Sequence, residues 1–334
     1  MTLAIINMTH DGNAWRWETG DGTLIEGVVS REGGDSASSL EWTLSDPLLE
    51  WAERLPLPTR NSRVAVEAWL GDTQSPPKVF AGYLNNHTVG GPPGRLQLTA
   101  VDKSKSLRRV ARSRTLSKSS IPDLLRRLCE PHGISVDLSR ADLDDLEYAQ
   151  VLQHGETDSE LIDRILGSVG HRGFYQNDTL YVIESGRTRD RQIRLVYGQN
   201  VSQFNFEVDE LTTSTTPNVT DFEGHTATKI DDQVEAVDRP VELSRETGLR
   251  INFDGLPSFT DQQLEQAKKA QARAKKVFKG QIQATEGFPE ATVDDEVILE
   301  GFGQRYSGVW FVDSLSHSLK TGRTSFNLEN AGSQ

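Results

Sequence analysis

Apolar residues in this chain recur at every second position in short runs that glycine and proline interrupt, and a pattern of period two selects pleated strands. Val64, Val66 and Ala68 alternate with polar neighbours, as do Leu96, Leu98 and Ala100. The breaks are turn-forming clusters: Gly-Gly-Asp at 33–35, Gly-Asp at 71–72, Pro-Pro at 76–77 and Gly-Gly-Pro-Pro-Gly at 90–94. The reading is an α+β chain that is mainly β, with residues 1–102 bent into a barrel or sandwich.

The period changes in the next block, residues 103–190. Ser120 stands before Ile121-Pro122-Asp123 as the cap of a helix whose apolar face is Leu124, Leu125, Leu128 and Cys129. Thr157-Asp158-Ser159-Glu160 has the spacing of a capping box, and Leu161, Ile162, Ile165, Leu166 and Val169 follow at helical intervals. A hairpin over 173–183 turns at Asn177-Asp178. Residues 191–334 return to strands, expected at 192–196, 201–208 and 219–223, with an irregular excursion near 225–258 and a helix near 260–279.

Charge and composition narrow the function. The 49 Asp and Glu residues exceed the 36 Lys and Arg residues, for a net charge of −13, the wrong sign for a phosphate-binding surface. The basic runs at 103–118 and 268–279 read as solvated faces. No run approaches the roughly 20 apolar residues that cross a bilayer, so no membrane segment is expected. The start of the chain has neither the basic segment nor the apolar core of a secretory signal. The single cysteine, Cys129, excludes an internal disulfide and suits assembly in a reducing cytoplasm.

The chain carries no His-Glu-x-x-His, no Gly-x-Ser-x-Gly and no phosphate-cradling Gly-x-x-x-x-Gly-Lys loop. The acidic run at 142–147 lacks the glycine and ligand order of a calcium loop and reads as a solvated face. Asp294-Asp295-Glu296 reads as a charged turn. No catalytic residue, metal ligand or cofactor is expected, and the chain is read as a non-enzyme.

Two hairpins echo each other. Val79-Phe80-Ala81-Gly82-Tyr83, His87 and the return strand 95–100 match Val309-Trp310-Phe311-Val312, His317 and the return strand 323–328. Each resumes with an arginine and then places residues +1, +3 and +5 on one face. Antiparallel hairpins often look alike, so coincidence is one reading. Two copies of one β domain flanking the mixed block is the other.

In its ordered motifs the sequence resembles the late control D proteins, hub proteins of contractile phage tails that are similar to the N-terminal part of VgrG spikes. The motifs run from Ser62-Arg63-Val64-Ala65-Val66-Glu67 and Phe80-Ala81-Gly82 through Leu96-Gln97-Leu98-Thr99-Ala100-Val101-Asp102 and Ser120-Ile121-Pro122-Asp123. They continue with 153–164, a segment like Q-x-x-E-S-D-x-[DE]-F-L-x-R in which Leu161-Ile162 replaces Phe-Leu, and close with Gly308-Val309-Trp310 to His317-Ser318-Leu319. The motif positions are Gly82, His87, Asp102, Asp123, Asp158, Arg164, Gly308, Trp310 and His317, all expected to be structural. The resemblance implies two tube-like β-barrels per chain and a homotrimer with pseudo-six-fold symmetry. It implies the tail tube, spike, baseplate wedge and tape-measure proteins as partners, and DNA or an effector passing through the lumen. It places the chain at the tip of a virion or tail-like particle assembled in the host cytoplasm. A carbohydrate-binding adhesion module, or a peptidoglycan hydrolase using two carboxylates, is the alternative.

Overall fold

Strand after strand finds its partner where the period-two runs stand. The computed structural model describes residues 3–33, 36–56, 63–71, 75–141, 143, 147–169, 171–184, 192–208, 218–220, 226–230, 233–237, 250–252 and 278–330. The N-terminal strands are β1 (Leu3–His10), β2 (Asn13–Glu18), β3 (Leu24–Glu32), β4 (Ser39–Ser45), β5 (Ala65–Gly71), β6 (Lys78–Gly90) and β7 (Arg95–Val101), with the short helix α1 (Glu50–Arg54) after β4. Alternation sends Leu96, Leu98 and Ala100 of β7 inward beside Leu40, Trp42 and Leu44 of β4. Trp17 lies between Trp42 and Trp51, at ring-centroid distances of 6.4 and 5.6 Å. Burying each such large apolar side chain contributes about 1.5–3 kcal/mol.

The central segment comprises β8 (Arg112–Ser120), α2 (Ile121–Cys129), β9 (Ser135–Arg140), β10 (Glu147–Glu156), α3 (Asp158–Ser168), β11 (His171–Gln176) and β12 (Thr179–Glu184). Both helix starts follow the capping signals. Ser120 Oγ accepts from the Asp123 amide, and Thr157 and Glu160 form the reciprocal box. The inward faces of α2 and α3 pack with Tyr175, Leu180 and Val182 into a core of their own. The β11–β12 turn puts Asn177 and Asp178 at positive φ, as a two-residue hairpin turn of the I′ kind requires.

The C-terminal strands are β13 (Gln192–Val196), β14 (Val201–Val208), β15 (Asn218–Thr220), β16 (Thr226–Ile230), β17 (Gln233–Val237), β18 (Arg250–Asn252), β19 (Phe278–Ala284), β20 (Glu296–Glu300), β21 (Gly308–Ser318) and β22 (Thr324–Asn330). Three expectations need correction here. Of the excursion expected near 225–258, the described parts are not irregular: they are strands β16, β17 and β18, which pair with β15 as a small sheet in the order β17-β16-β15-β18; of the strand expected at 219–223, residues 219 and 220 lie in β15 and 221–223 lie outside the described residues. The helix expected near 260–279 lies mostly outside the described residues, but its last part, from Phe278, is strand β19, because Phe278, Gly280 and Ile282 alternate into the aromatic core while Lys279 and Gln281 face out. Asp294 and Asp295 form a buried turn and Glu296 opens β20, each residue about 3% exposed, with Asp295 accepting from the Thr292 amide and Glu296 from the Gln192 side chain. The acidic run 142–147 falls largely outside the described residues. Among those described, no helix is long and apolar enough to cross a membrane.

The N-terminal strands and, of the C-terminal ones, β13, β14 and β19 to β22 belong to one 13-stranded sheet, ordered β14-β19-β22-β21-β3-β4-β7-β6-β5-β1-β2, with β20 joining β21 to β13. A repeated unit is visible in that order. Strands β5-β6-β7-β4-β3 and β20-β21-β22-β19-β14 are neighbours in the same sequence, every contact antiparallel. They also occur in the same order along the chain. Even an irregularity repeats: the β3–β4 ladder shifts register between Leu24 and Glu26, and the β14–β19 ladder between Val201 and Gln203. A bulge specific to one rung is a feature of design rather than noise.

Candidate functional site at the strand seam

The two units meet where β21 pairs with β3, with Leu315 opposite Arg31, Ser316 opposite Ser30, His317 opposite Val29 and Ser318 opposite Val28. β21 is long enough to pair with β20 through residues 308–311 and with β3 through 314–318. Beyond the last rung the Leu319 amide donates to the Gly27 carbonyl at 2.8 Å, and the Leu319 side chain arches over Gly27 into the N-terminal core. A Cβ at Gly27 would stand 2.9 Å from Leu319 Cδ1, so glycine permits the close approach.

A polar node sits beneath the seam. Arg31 is 3% exposed; its guanidinium donates to the carbonyls of Ala291 at 2.6 Å and Val79 at 2.7 Å, one from each unit. Burial lowers its pKa to about 10, against the pull of Asp295, so it stays cationic at neutral pH. The Asp295 carboxylate accepts from the Thr292 amide and hydroxyl. His317 is fully buried, with Nδ1 3.0 Å from the Thr324 hydroxyl. Burial, and then the Arg31 cation, hold its pKa well below the usual imidazole value. Arg31 belongs to no motif, and an arginine in a strand that alternates inward was its only available signal; Asp295 is part of the run read as a charged turn.

The expected motif positions separate into three places. Trp310 and His317 lie in the C-terminal unit, Trp310 fully buried with its indole N–H donating to the Tyr306 carbonyl at 2.9 Å. Gly308 opens β21. Gly82 and His87 lie on β6; a Cβ at Gly82 would stand 2.3 Å from the Val101 carbonyl oxygen. His87 is only half-buried, over a small cleft with Ala52, Leu55, Leu84, Leu96 and Leu98, so the two echoing histidines do not share an environment. Asp102 follows β7, buried, accepting from the Ser38 and Ser104 amides at 3.0 Å; burial raises its pKa above the ordinary carboxylate value against those bonds.

The structure brings Asp158 and Arg164 together with residues that explain the 153–164 motif. Asp158, 2% exposed, accepts from Arg114 at 2.7 Å and from the Gln153 amide at 2.9 Å, with His132 Nε2 3.3 Å away. Arg164 grips Glu156 through two nitrogens, at 2.7 and 3.2 Å. Asp123 stands apart, exposed, at 3.1 Å from Arg126. Among the described residues, no group of three or more His, Cys, Asp or Glu is arranged to hold a metal ion. The arrangement joins strands and caps helices.

A family model, described as the Alg8 N-terminal domain, matches residues 64–321, more than three quarters of the chain. The chain belongs to the Alg8 N-terminal domain family. The matched span begins just before β5 and ends past the seam, so it takes in most of both β units and the central segment. No curated protein matches this member of the Alg8 N-terminal domain family. Solved structures do. The 43 kDa tail protein of prophage MuSo2 from Shewanella oneidensis is 14% identical, with a TM-score of 0.67 over 98% of each chain. The tail protein from Neisseria meningitidis MC58 is 16% identical, with a TM-score of 0.68 over 98% of this chain and 97% of that one. The E. coli c3393 protein, a component of the type VI secretion system, is 12% identical, with a TM-score of 0.57 over 96% of this chain and 76% of that one. At these identities the likeness is one of fold: this Alg8 N-terminal domain chain has a tail-protein fold.

Proposed function

We propose that the chain is the baseplate hub of a contractile phage tail or a related injection particle, of the late control D kind, and a structural protein rather than an enzyme. The observation that carries this reading is the repeated five-strand unit joined edge to edge at one seam. Three chains with two equivalent units each offer six equivalent positions to a six-fold tube, while the trimer itself matches a three-fold spike. In this reading residues 1–102 and 191–334 form two tube-like domains and 103–190 the mixed domain between them. The nine motif positions maintain strand junctions and helix caps. Tube, spike, wedge and tape-measure proteins are its neighbours at the tail tip, and DNA or an effector passes through the ring. The full-length likeness to prophage tail proteins supports the same reading.

The test is the mass of the purified chain by light scattering, together with pull-down of tail tube and spike proteins from the same genome. A trimer that retains both is expected. A monomer that binds neither overturns the proposal.

A further inference from the structure

In the central segment, strand β8 has a partner on one edge and, among the described residues, none on the other. It pairs antiparallel with β10, Thr115 opposite Leu152 and Arg114 opposite Gln153, and the two form a ribbon apart from the large sheet. β10 is tied to α3, whose Arg164 donates to the Leu152 carbonyl at 2.7 Å. β8 has no such tie: among the described residues, no hydrogen bond outside the β10 ladder reaches the backbone of residues 113–119. This stretch contains no proline and no register break, and the outward side chains of Ser113, Thr115 and Ser117 are small and exposed. An open row of peptide groups of this kind is the template on which an extended segment adds as a further strand.

Charge narrows the kind of segment. Residues 103–127 carry nine Lys and Arg against one acid, Asp123, in a chain of net charge −13. Several of these cations are engaged: Lys103 with Asp178, Lys105 with Asn85, Arg126 with Asp123, and Arg108 over the Tyr175 ring. Three remain available. Arg112 shares the buried Asp158 carboxylate with Arg114, which holds it at 2.7 Å while Arg112, 39% exposed, stands 3.7 Å away. The guanidiniums of Arg109, just before β8, and Arg127, on α2 just after it, are exposed with no partner among the described residues. We propose that an extended acidic segment of a partner protein adds to the open edge of β8 as a third strand. Strand alternation divides its side chains. Carboxylates fall on the face of Arg112, and the intervening residues fall beside Thr115, on the face where Leu152 is 48% exposed. A nucleic acid would need a row of phosphate contacts, which three cations do not make. A peptide draws its affinity from the backbone ladder and uses the charge for selection.

The test uses the purified full chain and a synthetic peptide of β8's length in which glutamate alternates with threonine, with the matching lysine peptide and an oligothymidylate as controls. On adding the glutamate peptide, amide hydrogen exchange is expected to slow across residues 113–119 and to stay unchanged in the two β units. Binding followed by fluorescence anisotropy is expected to weaken roughly tenfold or more at high salt. The Arg109→Glu, Arg127→Glu double variant is expected to lose a similar factor while its thermal midpoint holds, since both side chains are exposed. The lysine peptide is expected not to bind. A glutamate peptide that does not bind, or that binds without slowing exchange in β8, overturns the proposal. An oligothymidylate that binds as tightly as the peptide overturns it in favour of a phosphate site. Protection of residues 113–119 in the chain alone, lost on dilution, overturns it in favour of an edge taken by a second copy. The hub reading is decided separately, by the trimer mass and the tube and spike pull-down.

Discussion

Arg31 donates to the Val79 carbonyl at 2.7 Å, and with its other terminal nitrogen it reaches Ala291, 260 positions away along the chain. One guanidinium thus bonds both β units from beneath their shared seam. A planar fork can serve two carbonyls at once, whereas a lysine ammonium on a flexible stem is a point charge. Arg31→Ala would leave two buried carbonyls without this donor and remove the buried cation that faces Asp295, whose carboxylate keeps its Thr292 bonds. Removing one partner of a buried charge network costs roughly 3–5 kcal/mol. Arg31→Lys is expected to recover less than half of the loss. Chemical denaturation of the three proteins measures this, and an alanine variant within about 0.5 kcal/mol of the parent would refute it.

His317 makes the seam sensitive to acid. Its folded pKa lies well below its unfolded value of about 6.5, because burial and the nearby Arg31 disfavour the imidazolium. The unfolded chain therefore binds this proton more readily than the folded one. The stability tied to neutral His317 is complete above about pH 6.5 and falls as pH drops below it. The Asp102 shift runs the other way: its raised folded pKa favours the folded state as the carboxyl protonates, at lower pH. The expected result is a thermal midpoint that declines from pH 7 to pH 5, with a shallower decline in His317→Gln. Parallel curves for the two proteins would show that His317 does not carry the dependence.

Two aspartates of the ordered motifs should respond very differently. Asp158 is buried against Arg114 and Gln153, while Asp123 is exposed beside Arg126. Hydrogen bonds to charged groups contribute about 1.5–3 kcal/mol each, but Arg114 is itself a third exposed, so solvent screens part of the pairing. Asp158→Asn is expected to cost about 2 kcal/mol. Asp123→Asn should stay within about 0.5 kcal/mol, as is usual for surface changes. Equal losses in urea titrations would contradict the assignment of Asp158 as the centre of the network.

Local signals were legible wherever their physics is local. The capping box at Thr157 and Glu160, the cap at Ser120, and the alternation of β7 and β22 all depend on residues a few positions apart, and they stand where the spacing put them. The excursion near 225–258 and the turn at Asp294 were misread for the complementary reason. A short strand is held by its partners and a buried carboxylate by its donors, and neither leaves a periodic trace in its own neighbourhood.

By itself the sequence determined the mainly β character of the chain, the two helix starts and the echo between the hairpins at 79–100 and 309–328. Only the tertiary structure decided that the echo extends to five strands in the same order, that β21 passes its partner β20 to meet β3, and that Arg31 and His317 lie buried at that junction. Alternation tells each strand which face to bury. Which edge it offers, and to which strand, depends on ladders between residues hundreds of positions apart, and only the assembled sheet chooses among them.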